Sequence, residues 1–98
     1  MATETEASRL LTWYAASRTG PDEMREAAAM ARLLAADGAV RASRSAVQIF
    51  GISGNKRGSG IERLYRDAKA MELHHGAVEV QQLAVAGELL PDLVKDPP

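Results

Sequence analysis

The chain contains no cysteine, so it can build neither a disulfide framework nor a thiolate metal site. Its only histidines, His74 and His75, are adjacent, which leaves any metal site short of imidazole ligands. Aromatic residues make up 4% of 98 positions and β-branched residues are few, so little is available to cover the faces of a sheet. No apolar run approaches the roughly 20 residues needed to cross a bilayer. The opening MATETEASR lacks the basic and apolar regions of a secretory signal. A net charge of −1 supplies no basic field for a nucleic acid or an anionic membrane. These absences lead to an expectation of one soluble domain in a reducing cytoplasm, with no metal, no nucleic acid and no membrane.

What is present favours helices. Hydrophobic residues reach 46% with alanine prominent, and alanine is the strongest helix former. Apolar residues recur three and four apart, the mark of a helix with one buried face. Thr3-Glu4-Thr5-Glu6 reads as a capping box, followed by a stripe of Ala7, Leu10, Leu11, Tyr14 and Ala15 with Trp13 beside it. Trp13 has two readings: an anchor for a partner or, more plainly, a ring covering the bundle's edge. This first helix, over about 4–19, is expected to end at Gly20-Pro21, with the glycine in a left-handed cap. Asp22, Glu23 and Glu26 open a second helix, where negative charge suits the positive end of the macrodipole. Met24, Ala27, Ala28, Ala31, Leu34, Ala35, Ala42 and Ile49 keep its period, so one long helix is expected over 22–50. Gly38 interrupts it at a cost of about 1 kcal/mol relative to alanine, which a close helix crossing would explain.

Gly51, Gly54, Gly58 and Gly60 then mark a glycine loop over 51–60. A third helix over 61–73 carries Ile61, Leu64, Tyr65 and Ala68 on one side. It breaks at His74-His75-Gly76, and a fourth helix over 78–90 follows through Val80, Leu83 and Ala84 until Pro91 stops it. The tail, 91–98, reads as frayed. The expected fold is an all-α antiparallel bundle of about four helices in a single domain spanning 1–98.

Three chemistries can be weighed from the residues alone. The backbone amides of GISGNKRGSG, with Lys56 and Arg57, could hold a phosphate. The segment does not match G-x-x-x-x-G-K-[ST], however, and it follows a helix where that motif follows a strand. Glu72-x-x-His75 has the spacing of carboxylate-bridged di-metal bundles, but such sites need a second E-x-x-H or further glutamates from other helices, and no histidine remains for a second set. A DNA-reading helix would use Arg63 and Arg66, which Glu62 and Asp67 offset.

Three blocks in order carry a more specific signal: AVQIFG from Ala46, IERLYRDAK from Ile61, and G-x-x-E-V-Q from Gly76. Together they resemble the C-terminal helical domain of the acyl-CoA dehydrogenases, over about 6–90. There the pattern runs A-V-Q-I-x-G-G-x-G, then V-E-[RK]-L-x-R-D-A-[RK], then I-Y-E-G-T-S-[EQ]-I-Q. Ala31-Arg32-Leu33-Leu34-Ala35-Ala36-Asp37 stands where that family has A-K-x-F-A-S-E. The resemblance implies an FAD-dependent oxidoreductase scaffold in which the Q-x-x-G-G loop of one subunit approaches the ADP part of a neighbour's FAD. Gln48, Gly51, Gly54 and Gly76 match the positions that the family uses toward the cofactor, whereas Ile52 replaces the second glycine of that loop.

The resemblance also marks what is missing. His75 stands where many family members place the glutamate that removes the α-proton of the acyl thioester. Ala77 stands where a threonine contacts flavin. A neutral imidazole at His75 could still act as a base, but the plainer reading is an exposed loop residue, and no residue is assigned a catalytic role. Arg66-Asp67 is implied to hold helices together rather than to react. The family's N-terminal helical and middle β-domains have no counterpart here. The chain is therefore expected to be inactive alone and to assemble as a homodimer or with a longer flavoprotein subunit, with FAD possible only in that complex. The alternative is a small subunit of a split enzyme that contributes to FAD binding and acyl-thioester oxidation.

Overall fold

A computed structural model of the chain describes residues 1–74 and 76–92. Five helices follow in order: α1 (Ala2–Ser17), α2 (Pro21–Phe50), α3 (Ile52–Asn55), α4 (Gly60–Leu73) and α5 (Val78–Leu89). No strand occurs among the described residues. The fold is all-α, as the periodicity and the family resemblance both imply. Of the tail read as frayed, 93–98 lies outside the described residues, as does His75.

The helix ends differ from the sequence reading in three places, each for a local reason. Helix α1 begins at Ala2 with Met1 as its N-cap and no capping side chain. Thr3 is already inside the first turn, so its hydroxyl cannot take the extended N-cap geometry that a capping box needs. The hydroxyls of Thr5, Ser8 and Thr12 instead donate to the carbonyls four residues back, at 3.0, 2.8 and 2.8 Å. Helix α1 also ends at Ser17, before Gly20. Gly20 has φ −73 and ψ 133, so it is the extended N-cap of α2 and not a left-handed C-cap. Pro21 then sits in the first turn of α2, where a missing N–H costs nothing. Third, the interval read as a glycine loop holds the one-turn helix α3. Gly51, at φ 59 and ψ −138, turns the chain out of α2 in a region that side chains resist. Ser59, which the sequence reading passed over, caps α4: its Oγ accepts from the Glu62 N–H and donates to the Gly54 carbonyl, both at 3.1 Å.

Helix α2, about 45 Å long at 1.5 Å per residue, is the spine. Helices α1, α4 and α5 each pack against it, and α3 bridges α2 and α4. Arg41 of α2 pairs with Glu4 at the start of α1, so α1 runs antiparallel along the first half and middle of α2. On the other side, Arg32 reaches the Met71 carbonyl of α4, and Arg25 reaches Glu88 of α5 at 3.5 Å. Helices α4 and α5 therefore follow one another along α2, α4 beside its second half and α5 beside its first.

This arrangement is a slab. The molecule measures 51 × 31 × 19 Å, and three helices of about 10 Å side by side account for the middle dimension. Its radius of gyration is 16.3 Å, against about 13 Å for a compact domain of this length. A single layer of helices buries only what lies in the seams between neighbours. The buried residues are accordingly small: Ala15, Ala27, Ala29, Ala31, Ala68, Ser43 and Gly54. Among the described residues no large side chain is fully buried. Leu10 and Tyr14, read as part of the inward stripe of α1, are exposed, because the contact with α2 runs through Ser8, Leu11 and Ala15. Trp13 lies on the outer side of α1 at 59% exposure, with the Arg9 guanidinium 4.9 Å from its ring.

The two glycines of α2 and α3 have opposite reasons to be there. A Cβ on Gly38 would meet nothing within 4 Å, so no close helix crossing explains it. A Cβ on Gly54 would lie 2.9 Å from the Phe50 Cβ and 3.1 Å from the Val47 carbonyl oxygen, so this glycine lets α3 fold back on α2. In urea denaturation, Gly38→Ala should stabilise the chain by about 0.5–1 kcal/mol. Gly54→Ala should destabilise it by about 1–3 kcal/mol, because backbone and Cβ atoms must move.

Candidate functional site

The residues singled out by sequence fall at the two ends of α4. At its start, the last turn of α2 presents Gln48, whose side chain is exposed and whose backbone carbonyl accepts from the Gly51 N–H at 3.3 Å. Gly51 is exposed, and a Cβ there would meet no neighbour, so its glycine serves the backbone dihedrals alone. Gly54 is buried against Val47 and Phe50 and offers no approach for a ligand. Ile52, in the position of the family's second loop glycine, is 90% exposed. Beside Gln48 an open groove of about 350 Å³ is lined by Arg44, Val47, Asn55, Glu62, Tyr65 and Arg66. The Arg66 guanidinium is held by Glu62 one turn back, and Arg63 pairs with Asp67 at 3.5 Å, so both arginines lie in ion pairs along their own helix.

At the other end, α4 stops at Leu73 and His74 turns extended. Gly76 has φ 105, a left-handed value that favours glycine, and Ala77 is the N-cap of α5 without a capping side chain. Arg32 of α2 holds this break. Its Nη2 donates to the Gly76 carbonyl at 3.1 Å and to the Met71 carbonyl at 3.4 Å. A cation on the last carbonyls of a helix also meets the negative end of its dipole. Sequence reasoning missed Arg32 because its partners are backbone atoms, 39 and 44 residues away. The available signal was a positive charge inside the alanine-rich half of α2.

Next to the break lies a groove of about 560 Å³ lined by Met30, Leu33, Leu34, Asp37, Val78 and half-buried Glu72. Glu72 hydrogen-bonds Lys69, and that bond, with the charge attraction, raises the Lys69 pKa above the usual lysine value. A raised lysine pKa contributes stability below the ordinary value and loses it as pH climbs through the raised one, so the pair is unaffected near neutrality. Among the described residues no three His, Asp or Glu side chains come together to hold a metal.

Residues 1–90 match the family model of the acyl-CoA dehydrogenase C-terminal domain. The chain belongs to the acyl-CoA dehydrogenase family. It is 41% identical over 91 residues to the mitochondrial short-chain specific acyl-CoA dehydrogenase of Rattus norvegicus, which covers 92% of this chain and 22% of that protein. It is 41% identical over 92 residues to an acyl-CoA dehydrogenase of Bacillus subtilis (strain 168), covering 92% of this chain and 24% of that protein. Against the cyclohex-1-ene-1-carbonyl-CoA dehydrogenase of Geobacter metallireducens the figure is 37% over 92 residues, again 92% of this chain and 24% of the relative. The chain thus spans about a fifth to a quarter of the length of these curated relatives. No solved structure matches it significantly.

The acyl-CoA dehydrogenase positions can be tested for fit to FAD on this geometry. Gln48 and Gly51 are separated from Gly76 by the length of α4, about 21 Å for its 14 residues. Both groups lie on open surface, and Gly54 is turned inward. Among the described residues these positions do not enclose a common cavity: they form two separate edges.

The break itself gives a measurable expectation. Gly76→Ala places a side chain at positive φ and should cost about 1–2 kcal/mol. Arg32→Gln loses charge-assisted bonds from an exposed group and should cost about 1 kcal/mol. Both variants should speed amide exchange at Val80 and Gln81, whose N–H groups donate to the Ala77 carbonyl, while leaving the Gly54 amide unchanged.

Proposed function

We propose that this acyl-CoA dehydrogenase C-terminal domain acts by assembly, with itself or with a longer flavoprotein partner, and that it is inactive alone. The observation that carries this reading is the mismatch between core and surface. The interior is alanine, while Leu10, Trp13, Ile49, Phe50, Leu64 and Leu83 stand more than half exposed. Exposed large apolar groups around an alanine interior favour association, which would cover them. At about 25 cal/mol per Å², a face of ~800 Å² would contribute about 20 kcal/mol before the entropic costs of association are charged against it. The same reading places the chain in the cytoplasm, where the absence of cysteine is no handicap. No described helix is long and apolar enough to cross a membrane.

The same geometry supports the reading of inactivity alone. Among the described residues the two edges at Gln48-Gly51 and Gly76 have no wall between them, and Ala77 has no hydroxyl to offer a flavin. FAD belongs to this proposal only in the complex, where a partner would supply that wall. A second reading keeps the chain as the small subunit of a split FAD-dependent acyl-CoA dehydrogenase that contributes to FAD binding and acyl-thioester oxidation. The exposure of Gln48 and Gly51 at the tip of the slab favours keeping it.

Light scattering on a sizing column should give a mass at least twice 10.5 kDa at micromolar concentration, and a stable well-folded monomer would remove the self-assembly form of the proposal. Titrating FAD into the chain should leave the flavin spectrum unshifted. A shift that appears only with a flavoprotein partner would select the split-enzyme reading.

A further inference from the structure

Helix α5 is held less firmly than the other helices longer than one turn. Helices α1, α2 and α4 each bury at least one residue, whereas α5 buries none. Its packing seam is with α2 alone. Val78, Ala84, Val85 and Ala86 are half-buried, while Val80, Leu83 and Leu89 stand more than half exposed. Leaving α2 therefore returns little apolar area to water. Polar ties hold its two ends: Arg32 on the Gly76 carbonyl at 3.1 Å, and Arg25 on Glu88 at 3.5 Å. Gly76, at φ 105, stands just before α5, and the N-cap Ala77 supplies no capping side chain.

We infer that α5 is a latched strap: it leaves α2 as one unit about Gly76 while α1, α2 and α4 stay folded, and Arg32 is the latch. A helix of 12 residues is marginal in water by itself, so release from α2 and loss of the helix occur together. Gly87 inside α5 weakens it further, by about 1 kcal/mol relative to alanine. Helix α4 keeps its own ties, with Ala68 buried, Ser59 capping its start and α3 packed against it. The break at Gly76 therefore keeps its distance from Gln48, and what changes is the cover on the first half of α2. Val78 and Gln82 of α5 line the groove beside Met30, Leu33 and Leu34, so release of the strap opens that groove along α2. This motion goes beyond assembly and does not require it.

The test is native-state amide hydrogen exchange on the full chain across low urea concentrations, read residue by residue. The amides of Ala84, Val85, Ala86 and Leu90 should share one protection factor, at least about tenfold below those of Ala29 and Ala31, with a shallower dependence on urea. Arg32→Gln should lower the shared α5 value about fivefold and leave Ala29 and Ala31 unchanged, since glutamine and arginine have similar helix propensities. Arg32→Lys, which keeps the charge, should return it to within about twofold of the parent. Arg25→Gln, which breaks an exposed pair, should lower it by about twofold or less. Protection and urea dependence equal to those of α2 overturn the strap, because α5 then opens only with the whole chain. A graded loss toward Leu90 overturns it as a unit, and an α5 value indifferent to Arg32→Gln overturns the latch.

Discussion

A layer of helices one helix deep can bury only side chains short enough to fit the seam between neighbouring cylinders. That constraint governs this molecule. Helix α2 forms a seam with α1 on one side and with α4 and α5 on the other, and the residues in those seams are Ala15, Ala27, Ala29, Ala31, Ser43 and Ala68. Alanine permits close approach, but each one removes little apolar area from water. The larger apolar side chains stay on the broad faces because the slab has no second layer to receive them. The composition and the shape are two views of the same fact: many alanines, thin seams and a surface richer in leucine and aromatic groups than the interior.

The same spine sets the distance between the candidate sites. Gln48 and Gly51 sit where α2 ends, and Gly76 sits where α4 ends, beside the first half of α2. Helix α4 is a rigid spacer between them, tied at its start by the Ser59 cap and at its end by Arg32 on the Met71 and Gly76 carbonyls. Neither edge can move toward the other without breaking that helix. A ligand spanning both would lie along the slab and would need a wall from elsewhere. The positions singled out by the resemblance are thus held in fixed relation, and among the described residues no wall joins them.

Helix existence was legible in the sequence because three-and-four periodicity and alanine content are local properties. The family was legible because three blocks keep their order and register. Less could be read about direction. Leu10 and Leu11 are adjacent, both fit an apolar stripe, and only the docking angle of α1 decides that Leu11 faces α2 and Leu10 faces water. The capping box at Thr3 failed because it competed with a helix start one residue earlier. Gly38 and Gly54 look alike in sequence, yet one has open space around it and the other a backbone 3.1 Å away. Arg32 could not be found by pattern, since carbonyl oxygens carry no sequence label.

By itself, then, the amino-acid order determined an all-helical chain, its punctuation by glycine and proline, and its membership in the acyl-CoA dehydrogenase family. The helices form from interactions within a few residues, which is the range over which a sequence can be read directly. Tertiary structure alone decided that the helices lie in one layer, that Gln48 and Gly51 stand a helix length from Gly76, and that large apolar groups such as Trp13, Ile49 and Leu83 face outward. Those outcomes depend on which faces meet across the whole chain, and that choice is made by packing volume and not by local preference.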